Sequence, residues 1–158
     1  MPGFPRLPKI IQLQAAVTTN GAKTTQYINA AKCSMIYFLV SLQNATGHAT
    51  VVSIYEATSA AGGSAAAITD SMPFYYSNDS EAALGDNLTL VTTAATFTPD
   101  EEISEKFIVI QVDPSIMTSG MDFLAVHTTT SSQAGNYLTV MAYGVNRHGG
   151  YDDVTLLA

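Results

Sequence analysis

Short apolar stretches separated by turn residues set the rhythm of this chain. Ile10–Val17 is β-compatible, and Thr18-Thr19-Asn20-Gly21 follows it; Asn-Gly is among the strongest short turn signals. A second strand is expected over Gln26–Ala30. Met35–Leu42 (MIYFLVSL) is a continuous apolar run dense in β-branched and aromatic residues, which predicts a strand buried on both faces. A turn at Asn44–His48 leads to a strand over Thr50–Tyr55, then to a small-residue loop over Ser59–Ala67 expected to be flexible. Pro73 in the aromatic segment Met72–Tyr76 suits an edge strand or a strand start. Asn78–Asn87 reads as a polar connection, Leu88–Phe97 as β-compatible, and Phe107–Val112 (FIVIQV) as a second core strand closed by Asp113-Pro114. Strands around Phe123–Val126 and over Tyr137–Val145 complete the pattern.

Turn signals recur at the spacing of a β-sandwich or barrel, and no segment carries a sustained helical apolar period. The best helical candidates, Ser80–Leu84 and Ser115–Met117, are single turns. The expected fold is all-β: a two-sheet antiparallel sandwich of about eight or nine strands, jelly-roll-like, with an extended N-terminal arm. The division expected is an arm over 1–9, the sandwich over 10–145 and a tail over 146–158. Prolines at positions 2, 5 and 8 favour an extended, polyproline-like arm. Pro2, Phe4, Leu7 and Ile10 on the arm, with Val154, Leu156 and Leu157 in the tail, are the candidate partner-binding residues. Isolated ends with large apolar side chains gain from covering another surface.

Composition narrows the class. Of 158 residues 47% are hydrophobic and only 12% charged, about half the usual share of charge; disorder is excluded. No uninterrupted apolar stretch is long enough for a membrane helix. A net charge of −7 with six Lys plus Arg argues against a nucleic-acid partner, which needs clustered cations. The N-terminal MPGFPRLPK lacks the apolar segment of a signal peptide, so synthesis in a cytoplasm is expected. The single cysteine, Cys33, allows no intrachain disulfide and reads as a small buried hydrophobe.

The sequence holds no P-loop, GxGxxG, HExxH, GxSxG or metal-spaced Cys/His set. His48, His127 and His148 lie far apart in sequence, and the acidic runs Asp100-Glu101-Glu102 and Asp152-Asp153 lack calcium-loop spacing. No catalytic residue, metal or cofactor is assigned, and the expectation is a non-enzyme. Ala, Ser and Thr make up about a third of the chain, and strands with few charges lack the usual protection against pairing with other chains. Such surfaces suit a permanent assembly.

A set of residues supports a more specific expectation. Asn20-Gly21-Ala22-Lys23-Thr24 precedes Gln26-Tyr27-Ile28, a strand ends in Gln43, and Val51–Tyr55 runs through Glu56-Ala57-Thr58 into a Gly/Ala loop. Phe74-Tyr75-Tyr76-Ser77-Asn78, Ile108–Val112 before Asp113, and Gly120-Met121-Asp122-Phe123 continue the pattern. It resembles small structural proteins from the head-gene region of tailed bacteriophages, over most of residues 10–145. The resemblance implies a capsid decoration or cement protein on the virion surface. Its partners would be the major capsid protein and copies of itself, as a dimer or trimer, with neither nucleic acid nor membrane. The other class is a tail- or fibre-associated host-recognition module that binds carbohydrate, with Tyr75, Tyr76, Tyr137 and Tyr143 as stacking faces.

Overall fold

A computed structural model describes residues 10–77, 88–99 and 105–146. Twelve strands and one short helical turn make up its regular structure, in two antiparallel sheets. The larger sheet joins β1 (Ile10–Thr18), β12 (Tyr137–Asn146), β4 (Cys33–Gln43), β10 (Glu105–Val112), β7 (Met72–Ser77) and β8 (Thr89–Ala94), in that spatial order. The smaller is built on β11 (Phe123–Thr128) and β5 (Val52–Ala57). Flanking β11 are β2 (Lys23–Thr24) and β3 (Ile28–Asn29); flanking β5 are β6 (Ala66–Ala67) and β9 (Thr96–Phe97).

This pairing is that of a jelly roll. Four strands, β1-β12-β4-β10, form one sheet, and β2/β3, β11, β5 and β6/β9 fill the four places of the other. The departure is at the last place. The chain leaves it after β6, adds the β7–β8 hairpin to the larger sheet, and returns as β9 beside β5. The apolar run Leu88–Phe97 is therefore two strands in different sheets, parted at Ala95. Of the expected Gln26–Ala30 strand only Ile28–Asn29 pairs, with Lys23–Thr24 a separate piece before it, and the Ser59–Ala67 loop expected to be flexible ends in β6.

Strand alternation puts one side of each long strand into the core. From β4 come Ile36, Phe38, Val40 and Leu42; β10 gives Ile108, Ile110 and Val112, and β12 gives Leu138, Val140 and Ala142. They meet Val52, Ile54, Leu124, Val126, Ile28 and Phe97 of the smaller sheet. Phe74 and Phe97 touch across the two layers, ring centroids 5.6 Å apart. Cys33 is fully buried within this cluster. The turn at Pro114–Ile116, capped where Asp113 Oδ1 accepts from the Ser115 N–H (2.8 Å), lays Ile116 and Met117 against the core. Pro73 sits at the start of β7, where its missing N–H interrupts no paired position on β10.

Polar side chains tie the loops at one end. Asn136, 1% exposed, accepts at Oδ1 from the Ala45 N–H (2.8 Å) and donates from Nδ2 to Asn44 Oδ1 and the His48 carbonyl (both 3.4 Å). Thr50 also donates to Asn44 Oδ1 (3.1 Å), while the Thr19 hydroxyl donates to Ser131 Oγ (2.9 Å). The predicted Asn20-Gly21 turn lies here, with Gly21 at φ +136°, where a side chain would be strained.

Candidate interaction face

The outer side of the larger sheet departs most from expectation. The apolar run in β4 predicted burial on both faces, but the strand alternates: Ile36, Phe38, Val40 and Leu42 are buried, and Met35, Tyr37, Leu39, Ser41 and Gln43 are only half-buried. β10 repeats this, with Phe107, Val109 and Gln111 half-buried and Glu105 exposed. Both strands carry apolar residues on two faces, and the described chain covers one.

Registers place these residues in rows. One row crosses all six strands: Gln12, Met141, Leu39, Val109, Tyr75 and Leu90. Beside it run Ile10, Tyr143, Tyr37 and Gln111. The Tyr37 and Tyr143 rings stack at 4.8 Å and 14°. Burial, and then the neighbouring Tyr37 hydroxyl, push the Tyr143 hydroxyl above its usual range. Beyond them Val145 pairs with Met35. On the other side of the central row polar residues enter, Thr139 and Ser41 beside Phe107, then Gln43 and Glu105 beside Tyr137.

Charge is nearly absent. Among the described residues of these six strands only Glu105 and Lys106 are charged. Glu105 lies at the polar end and accepts from the Ser41 hydroxyl at 2.7 Å. Lys106 points to the core side, fully buried and not without a partner. A face rich in tyrosine, methionine and aliphatic residues and almost free of charge has the composition of an interface core. The edges differ: β1 carries two register shifts and β8 one, opposite Phe74/Tyr75. Bulges blunt an edge against pairing with another chain, so the face is the stronger candidate surface.

The smaller sheet's outer side holds a second, smaller group. Tyr55 stacks on His127 (4.3 Å between centroids), whose Nδ1 lies 2.8 Å from Thr24 Oγ1. Burial lowers the His127 pKa. The Tyr27 hydroxyl is raised, by burial and then by Tyr55, and Gly62, at φ +78°, approaches so closely that a Cβ there would lie 2.9 Å from the Tyr27 ring. Among the described residues no three His, Cys, Asp or Glu side chains gather where a metal ion could be held.

Of the residues expected to hold a partner, Ile10 opens β1, is 61% exposed and pairs with Tyr143 at the border of the face. Pro2, Phe4, Leu7, Val154, Leu156 and Leu157 lie outside the described residues, as do His148, the segment Ser80–Leu84 and the acidic runs at 100–102 and 152–153. Tyr75, Tyr137 and Tyr143 share the face. Its central row escaped sequence reading because its residues came from strands whose registers were not yet fixed. The available signal was the double-sided apolar character of β4 and β10. No family model matches the chain, and neither a curated protein nor a solved structure matches it.

Proposed function

We propose that this protein is a structural component of a virion: a head decoration or cement protein that binds the outer capsid shell and stabilises it by bridging major capsid subunits. The observation that supports this reading is the six-stranded sheet face, apolar at its centre and bare of charge except at Glu105. Soluble monomers rarely expose apolar patches beyond a few hundred Å², and surfaces of this kind are covered in assemblies. The jelly-roll pairing agrees with it, since the architecture serves in viral shells, though fold by itself assigns no function. The role is mechanical, with no bond made or broken. Residues 1–9 and 147–158, which carry Phe4, Leu7 and Val154–Leu157, are assigned to contacts with neighbouring subunits.

The test is binding of the purified chain to emptied or expanded heads that lack it, followed by co-sedimentation. Saturable binding that protects heads against heat or chelator is the expected result, and removal of residues 1–8 should weaken it. Heads that take up none of the protein would overturn the proposal. A second reading, a tail- or fibre-associated carbohydrate-binding module, is favoured only by Tyr37, Tyr75, Tyr137 and Tyr143 on one face. Labelled protein that coats host cells without other virion parts would select it.

A further inference from the structure

We infer that the outer face of the six-stranded sheet is closed by the same face of a second copy, forming a two-fold dimer. Three features point to self-association. The face is about 24 Å across six strands and about 27 Å along β4 from Met35 to Gln43, a footprint on the order of 650 Å². That lies within the roughly 600–1,000 Å² per partner of a stable, specific interface. Charge selects the approach: two copies with net charge −7 repel through acidic surfaces, whereas this face offers one carboxylate, Glu105, at its polar border. A two-fold contact brings a patch against itself, so the absence of charge around Leu39 and Val109 leaves no like-charge pair at the centre. Both edges of the sheet are bulged, which disfavours a continuous sheet through β1 or β8. Self-association as a dimer or trimer is already expected from the resemblance; the inference adds the face and the two-fold contact, and it does not rest on the virion reading, because self-association needs no shell.

Leu39 lies in the row nearest the centre and is half-buried on the outer side, next to the core-facing Phe38. The experiment is sedimentation of the full chain, at micromolar and sub-millimolar concentration, with Leu39→Lys and Leu39→Glu variants checked for native circular dichroism. The wild-type chain should sediment at twice its monomer mass. Each variant should raise the dissociation constant about a hundredfold or more, because a like-charge juxtaposition in an interface costs several kcal/mol. An equimolar mixture of the two variants should recover the dimer, since opposite charges then meet, a rescue that a folding defect would not give. If either variant does not fold, Met141→Lys and Met141→Glu, in the same row and 36% exposed, replace the pair. A wild-type chain that stays monomeric throughout overturns the inference and gives the face to the shell protein. A dimer indifferent to these charges overturns it as well and moves self-association elsewhere.

Discussion

Phe38 and Leu39 are neighbours in sequence and opposites in the fold, which makes them a sharp test of how β4 is used. Phe38 is 0% exposed between the sheets; Leu39 is half-buried on the outer face. Phe38→Ala removes the transfer energy of a large side chain and leaves a cavity that its cross-strand neighbours Ile110 and Ala142 cannot fill, a loss of about 3–5 kcal/mol. Leu39→Ala opens no cavity in the isolated chain. Full burial of a leucine contributes about 1.5–3 kcal/mol, so a half-buried one forfeits about 1 kcal/mol. The assay is urea unfolding followed by circular dichroism over a range of protein concentrations. The Phe38→Ala loss should be the same at every concentration. The Leu39→Ala loss should be small when the protein is dilute and grow with concentration, as stabilisation by a bound copy is withdrawn. Equal losses for the two variants in dilute protein would mean that the outer face is already buried within one chain and that Leu39 is a core residue like Phe38.

Two further predictions concern the loop end and the smaller sheet. Asn136→Ala strands the part-buried Ala45 N–H and removes two longer contacts, and should cost about 1–2 kcal/mol in urea unfolding; a cost within error of zero would mean that the amide does not tie these loops. Burial lowers the His127 pKa from 6.5, so the unfolded chain binds more protons just below that pH. The His127 contribution is then fully present above about pH 6.5 and is lost as pH falls toward the folded value. His127→Gln should flatten the decline in melting temperature on acidification below pH 6.5; an unchanged slope would show that His127 carries none of it.

Much of the fold was legible because strand identity resides in local composition. Ile10–Val17, MIYFLVSL, FIVIQV and YLTVMAYGV are dense in residues that fit a pleated surface, and each became a strand. The face of β4 was hidden by the same richness: with apolar residues at both odd and even positions, the run carries no alternation to read, and only the pairing with β10 and β12 sorts Leu39 from Phe38. The break at Ala95 was invisible because Leu88–Phe97 keeps strand-like composition while the chain changes sheets. The Asn44–Asn136 contact joins residues 92 apart, a partnership that no local pattern encodes. Lys106 also defied the pattern, held on the core side by the register that aligns it with Leu42.

The proposed place of this protein in a virion shell is tested by imaging an intact particle at a resolution that traces chains. The expected result is density for the sandwich on the outer surface of the head, bridging major capsid subunits, with the Leu39–Val109 face covered and residues 1–8 lying on a neighbour. Density confined to the tail tip or fibres would move the protein to host attachment. A particle that holds no copy of the chain would rule out a virion role.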